Sequence, residues 1–490
     1  MKTLKLYLVL LITTLTSEFL FAQCNPPTAQ ADLDIANVRA RIMNGGDMWW
    51  DAVAQLGPKY EVPINSGQHV LFAGGIWIGG FDASGNLKGA AQTYRQNGSD
   101  FLPGPADTSS PGYDNVWKIT RQEVLDFISG SPPTNAIINW PGNGDGLQQL
   151  APYHDINGDG VYNYADGDYP DFGFTGSGNC CDILHGDQSI WWVINDVCYP
   201  HTESGCLPFG IEIQCEAFAF STTDADINNT TFYQFKLVNK TILPINNFYF
   251  GFFSDPDLGN YADDYVGCDV GRSMAYCYND SAAASGFYQH PPAIGIDFLK
   301  TPFYANGARM SNFVSFDNNF SCSGNPITCQ NYYGYLKSLD CNGNPYTHLG
   351  VPANYMFPYN SDPTGIGTGG IPQPPWTEIT ENNMSGDRRM VQSAGPFTIN
   401  PGAYRCISMA VIWARDTTDP GPYYSLSALQ LADDKIQLFF DSCYHYGSLG
   451  IEEQENIYAT VYPNPVSDVL EINFGKNISD GKFILYDIFG

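Results

Sequence analysis

Apolar and polar residues alternate most cleanly at 231–237, where Tyr233, Phe235 and Leu237 share one face and Gln234 and Lys236 the other. A period of two marks a half-buried antiparallel strand. At 37–42 the same period sets Val38, Ala40 and Ile42 against Asn37, Arg39 and Arg41. Further strands are expected at 189–195, 212–221, 230–238 and 246–253, and over 68–78, where the run closes on Gly79-Gly80. Residues 82–85 have hairpin-turn chemistry, and Pro401-Gly402 reads as a tight turn between strands at 397–400 and 405–414. Helical spacing shows twice: around 120–129, with Val124, Leu125 and Phe127, and after Ser425 as a cap, with Leu429, Ala432, Ile436 and Phe439 facing inward. Residues 280–400 read as loop-heavy. The pattern predicts a mainly β protein, an antiparallel sandwich-like region with long loops and one or two short helices.

Residues 1–22 depart from this pattern. Lys2 and Lys5 precede an apolar run over 6–15, and Ala22 offers a small residue at a cut before Gln23. This is the layout of a secretory signal peptide. No later apolar run has the length to span a bilayer, since 248–253 and 406–414 are strand-sized. The expected mature chain is exported, secreted or held at the outer-membrane surface, with no transmembrane segment. The formal net charge of −29 disfavours nucleic acid and anionic lipid as partners and favours divalent cations. With 43% hydrophobic and 14% aromatic residues, the chain can still bury a core.

The strongest chemical signal is a twelve-residue calcium loop. Asp155, Asn157 and Asp159 supply oxygens at positions one, three and five, and Gly160 provides the turn at six. The Val161 carbonyl falls at seven, Asn163 at nine and Asp166 at twelve. Pro152 before the loop and Gly167 to Pro170 after it exclude flanking helices, so a structural ion is expected. The loop resembles those of dockerins, which also carry Asn at nine and Asp at twelve. A second, weaker cation candidate gathers Asp255, Asp257, Asn260, Asp263, Asp264 and Asp269 after a strand.

All thirteen cysteines follow the expected cut, and none forms a Cys-x-x-Cys pair. Disulfides are the default in an exported chain. By proximity the candidates are Cys198 with Cys206, Cys268 with Cys277, and Cys322 with Cys329. Cys180 and Cys181 are expected to take different partners, and Cys24 is the candidate free thiol. There is no Gly-x-Ser-x-Gly elbow, no His-Glu-x-x-His and no phosphate-cradling Gly-x-x-x-x-Gly-Lys. His154 and His185 read as structural residues. Of the pairs Trp49-Trp50 and Trp191-Trp192, one ring of each is expected in the core, because strand neighbours face opposite ways.

From Ile451 onward, Val461-Tyr462-Pro463-Asn464-Pro465-Val466-Ser467-Asp468-Val469-Leu470 and Ile484-Leu485-Tyr486-Asp487-Ile488-Phe489-Gly490 resemble the type A sorting domain of the type IX secretion system of Bacteroidetes-type bacteria. The resemblance implies an immunoglobulin-like β domain read by the secretion machinery, and the sequence to Gly490 covers its opening part, a truncated copy. The region from Asp32 to Tyr444 resembles uncharacterised exported proteins that carry such tails. The shared motifs are Trp77-Ile78-Gly79-Gly80, Gly186-Asp187-Gln188-Ser189-Ile190-Trp191-Trp192, Ser254-Asp255-Pro256-Asp257-Leu258-Gly259, Gly386-Asp387-Arg388-Arg389 and Gly395-Pro396-Phe397-Thr398.

The expected organisation is a signal peptide (1–22), a β-rich region (23–448) with a subdomain boundary or a long ordered excursion within 131–187, a linker at 447–455, and a partial sorting domain (449–490). The expected function is that of a calcium-stabilised binding or structural protein, with glycans as first ligand class and no catalytic residue assigned. The alternative is a polysaccharide hydrolase using a carboxylate pair. Aromatics along a shallow groove favour the binder, and two buried carboxylates across a deep cleft favour the hydrolase.

Overall fold

Tyr233, Phe235 and Leu237 are fully buried, as their alternation requires, and they face Phe250 and Phe252 of a second sheet. The Phe235 and Phe250 ring centroids lie 5.5 Å apart, and Trp49 donates through Nε1 to the Tyr233 hydroxyl at 2.8 Å. These contacts join the inner faces of an antiparallel sandwich. The computed structural model describes residues 27–444, except 53, 56, 96–97, 107–110, 145–148, 176–179, 199, 281–289, 306 and 419–421, together with 459–462 and 471–474. The leader, Cys24, the 447–455 linker and most of the sorting-domain segment lie outside the described residues.

One sheet has ten strands and runs from Asn312–Asp317 through Arg388–Ile399, Ile245–Asp255 and Ala73–Phe81 to the short N-terminal strands. The other has nine. Its order is Asp264–Asp269, Met274–Asn279, Ala293–Lys300, Tyr404–Ala414, Thr230–Asn239, Ile211–Ala219, Gln188–Asn195 and Leu102–Pro103, with Trp117–Thr120 also on Gln188–Asn195. The strands on either side of Pro401-Gly402 do not pair with each other. Arg388–Ile399 pairs with Ile245–Asp255 in the first sheet, while Tyr404–Ala414 pairs with Thr230–Asn239 in the second. That turn carries the chain from one layer to the other.

Both sheets are covered on their outer faces as well. The helix Cys329–Tyr335 lies over the first, with Tyr332 and Leu336 packed on Trp77, Phe253 and Val391. The helix Arg121–Ile128, capped by Thr120 and Glu123, and the excursion that follows it lie over the second, on Trp191 and Val193. Gln188–Asn195 is therefore buried at every position, as is Met274–Asn279, where Tyr278 meets Tyr423 of the helix Pro422–Asp441, and both sequences lose the period of two. The loop-heavy stretch 280–400 holds five strands (Ala293–Lys300, Asn312–Asp317, the short pair Thr347–His348 and Val351–Pro352, and Arg388–Ile399) and the helix Cys329–Tyr335, joined by long loops.

The strand Ala73–Phe81 runs through Gly79-Gly80 instead of ending there. A Cβ on Gly79 would lie 2.7 Å from the Tyr333 ring, so the glycine admits the helix. Both tryptophans of each pair are buried, in separate clusters: Trp49 and Trp192 in the inter-sheet core, Trp50 and Trp191 on outer faces. Ser425 is no cap. It lies within the helix Pro422–Asp441, and its Oγ donates to the Pro291 carbonyl at 2.6 Å. Residues 131–187 belong to the same compact unit as both sheets. A second unit starts at Leu438, and within it Ala459–Tyr462 and Glu471–Phe474 pair antiparallel.

The disulfides differ from the proximity expectation. Cys181 bonds Cys406, Cys206 bonds Cys329, and Cys322 bonds Cys341. Among the described residues nine cysteines are in disulfides, Cys198 included. Cys215, Cys268 and Cys277 are buried free thiols, so the proposed pair of Cys268 with Cys277 does not form. Among the described residues no helix is long and apolar enough to cross a membrane.

Candidate functional site

The calcium-type loop closes a short hairpin in which Tyr153–His154 pairs with Tyr169–Pro170. Asp155 accepts from the Gly158 and Gly160 amides, each at 2.7 Å. These amide bonds, that from Gly160 first, lower its pKa below the usual carboxylate value. Asn157 Oδ1 accepts from the Asp159 amide at 3.0 Å, and Asp159 from the Val161 amide at 2.8 Å. Asn163 Nδ2 donates to Asp166 at 2.7 Å. Gly158 and Gly160 take φ of 75° and 78°, where only glycine turns without strain. Asp168, missed in the sequence reading because it falls two places beyond the template, is fully buried and clips the loop ends by accepting from the Ile156 and Asn163 amides, each at 2.9 Å.

The second acidic set divides. Asn260 accepts from the Ala262 amide, Asp263 and Asp264 both accept from Asn279, and Asp269 pairs with Arg272. Asp255 and Asp257 instead come together with Asp387, with one oxygen from each within 4.8 Å of the others. Antiparallel register explains the meeting. Ser254 pairs with Met390, so the end of Ile245–Asp255 lies against the start of Arg388–Ile399. Two of the motifs singled out by sequence, Ser254-Asp255-Pro256-Asp257 and Gly386-Asp387-Arg388-Arg389, thus share one site. Trp77 of a third stands beside it.

These residues line a cleft of about 830 Å³ on the outer face of the ten-stranded sheet. Its aromatic wall is continuous. Trp50 contacts Tyr94 (6.1 Å between centroids), Tyr94 contacts Phe253 (5.8 Å), Phe253 stacks on Trp77 (5.6 Å), and Trp77 meets Tyr332 edge-on (4.7 Å). Two further lining rings stand in solvent, Phe320 at 81% exposure and Tyr261 at 58%. The polar side holds Glu203, Asp255, Asp257 and Asp387, with Arg389 as the one cation among the described lining residues.

Arg389 donates through Nε to the Tyr94 hydroxyl at 2.8 Å, and that hydroxyl donates to Asp255 Oδ2 at 2.5 Å. The guanidinium also lies 3.5 Å from Asp255 and 3.2 Å from Asp387. Burial raises Asp255 to about 8 against the opposing pull of Arg389, and Asp257 adds to the rise. Burial, then Asp387, raises Asp257 to about 6. Glu203 accepts from the Thr93 hydroxyl, and burial, with Asp100 adding, raises it to about 7. Such a site offers flat apolar surfaces beside hydrogen-bonding oxygens. His185 bonds Glu216 at 2.9 Å and His154 stacks on Tyr169, both away from the cleft.

Comparison with known proteins adds no constraint: no protein family and no curated protein matches the chain.

Proposed function

We propose that the chain is an exported, calcium-stabilised protein, carried by type IX secretion to the cell surface or beyond, that binds saccharides in the aromatic, acidic cleft. The observation that carries this reading is the cleft itself, where the exposed rings of Phe320 and Tyr261 stand with a buried aromatic wall and a set of carboxylates. Sugar rings stack on flat aromatics while their hydroxyls bond to carboxylate oxygens. Export is supported by the leader sequence and by the disulfides, which persist in oxidising compartments. On a glycan and polysaccharide array, purified mature protein is expected to be retained, and Phe320→Ala is expected to weaken retention about tenfold, the loss of one stacking contact. Absence of retention, or wild-type retention by Phe320→Ala and Trp50→Ala together, overturns the reading.

A hydrolytic reading has its own support, because Asp255 and Glu203 are both buried carboxyls of raised pKa on the same cleft. Reducing-end release that disappears in Asp255→Asn and Glu203→Gln would make the protein a hydrolase.

The exposed loop gives a separate expectation. An ion bound only by the folded state stabilises by mass action. Calcium on Asp155, Asn157, Asp159, Asn163, Asp166 and the Val161 carbonyl should therefore raise the melting temperature, by roughly 2–3 kcal/mol of stability at a hundredfold excess over Kd. Chelation is expected to remove that gain, and Asp159→Ala to remove most of the sensitivity. Equal chelator response in mutant and wild type would rule the site out.

A further inference from the structure

Beyond the exposed loop, we propose a second calcium site inside the cleft, formed by Asp255, Asp257 and Asp387, whose open positions take hydroxyl oxygens of the bound saccharide. The ion-binding half stands alone. The hydroxyl half rests on the saccharide reading of the cleft.

Three observations converge on the ion. One carboxylate oxygen from each residue lies within 4.8 Å of the other two. Calcium holds oxygens at 2.3–2.6 Å, so opposite ligands stand roughly 5 Å apart, and the cluster has the span of a single coordination sphere. Asp255 is 3% exposed, lines the cleft, and its Oδ1 has no hydrogen-bond partner among the described residues. A buried carboxylate oxygen with no donor is costly, and a metal ion supplies the missing contact. Charge gives the third. Once a bound cation ionises them, the three carboxylates face one guanidinium, that of Arg389, at 3.5 Å from Asp255 and 3.2 Å from Asp387. The excess is two negative charges, which one divalent cation neutralises.

The donor set selects the metal class. All ligands are hard oxygens, with no histidine or thiolate among them, which suits calcium or magnesium rather than zinc or copper. Magnesium demands a near-ideal octahedron, whereas calcium accepts irregular spheres of six to eight oxygens. One strand end and two loop positions supplying three carboxylates give the irregular kind. Three carboxylates leave several positions open, and paired sugar hydroxyls are hard, neutral oxygens suited to fill them. The exposed rings of Phe320 and Tyr261, which line the same cleft, would then stack on the ring of the same sugar.

The test uses the full mature chain. Calcium titration by calorimetry is run on wild type, Asp159→Ala, and the nearly isosteric Asp257→Asn with Asp387→Asn. Terbium serves as a parallel probe, because Tyr94, whose hydroxyl bonds Asp255, can sensitise its emission. Asp159→Ala is expected to keep one calcium equivalent and the terbium signal. The double Asn variant is expected to lose one equivalent relative to wild type and at least tenfold of that emission, while near-ultraviolet circular dichroism stays unchanged. An unaltered calcium stoichiometry in the double Asn variant, or no calcium bound by Asp159→Ala, overturns the ion site. Saccharide retention by wild type that survives chelation overturns the hydroxyl half while leaving the ion. Absence of retention with calcium bound sinks the saccharide reading alone.

Discussion

Replacing Cys206 and Cys329 together by serine is expected to destabilise the protein by about 2–5 kcal/mol, more than any other paired cysteine replacement within the cleft walls. The bond closes a loop with a sequence separation of 123, so its removal frees a large denatured ensemble. The Cys322–Cys341 bond spans 19 residues, and its loss is expected to cost less. Position adds to the effect. Cys329 opens the helix Cys329–Tyr335, whose Tyr332 lines the cleft, and Glu203, three residues before Cys206, lines it too. The disulfide therefore ties two walls of the site. Equilibrium denaturation of the two double-serine variants measures the stability terms, and array retention measures the cleft. Loss in both readouts is expected for Cys206→Ser with Cys329→Ser. Equal denaturation midpoints for the two variants would mean that loop length does not govern these bonds.

Strands with one solvated edge or face were legible because alternation survives there, as at Arg39–Met43, where Arg39 and Arg41 are half-buried between buried Ala40 and Ile42. Of the strands covered on both sides, Gln188–Asn195 was still read from its apolar run, whereas two others were not. Met274–Asn279 and Ala293–Lys300 are buried almost throughout, and a short apolar run does not distinguish strand from loop without its neighbours. The disulfides escaped for a related reason. Sequence proximity is a poor guide when partners are brought together by sheet register, as with Cys181 and Cys406, separated by 225 positions. The cleft was half legible. Asp255 and Asp257 stood out as a short acidic cluster, whereas Asp387 sits in a distant motif, and only the pairing of Ile245–Asp255 with Arg388–Ile399 unites them. The calcium-type loop was the most legible feature, because its spacing is local, yet its clip by Asp168 depends on the hairpin that the loop closes.

Lowering the pH from 8 to about 5 is expected to stabilise the fold through a pair of carboxyls remote from the cleft. Asp297, in the strand Ala293–Lys300, and Asp433, in the helix Pro422–Asp441, are fully or almost fully buried. Among the described residues neither Asp297 oxygen has a hydrogen-bond partner, and Asp433 Oδ1 has none. Arg309 stands 3.8 Å from Asp297 and Arg272 stands 3.9 Å from Asp433, too long for hydrogen bonds. Burial raises the pKa of Asp297, with Arg309 opposing it and Asp269 adding to it. Burial also raises Asp433, with Asp297 adding. Because the folded state holds these protons more tightly than the unfolded chain, their contribution is complete below the usual carboxylate pKa near 4. It is lost as pH rises through the raised folded values, toward and past neutrality. The expected loss is on the order of 2 kcal/mol by pH 8. Asp297→Asn keeps the shape, carries no charge and removes the like charge beside Asp433, so it is expected to melt higher than wild type at pH 8 and to show a flatter profile. Melting temperatures of the two proteins across this range, at fixed calcium concentration, make the comparison. Parallel profiles would show that the pair does not titrate with folding, and a lower melting temperature for Asp297→Asn at pH 8 would show that its charge stabilises the fold.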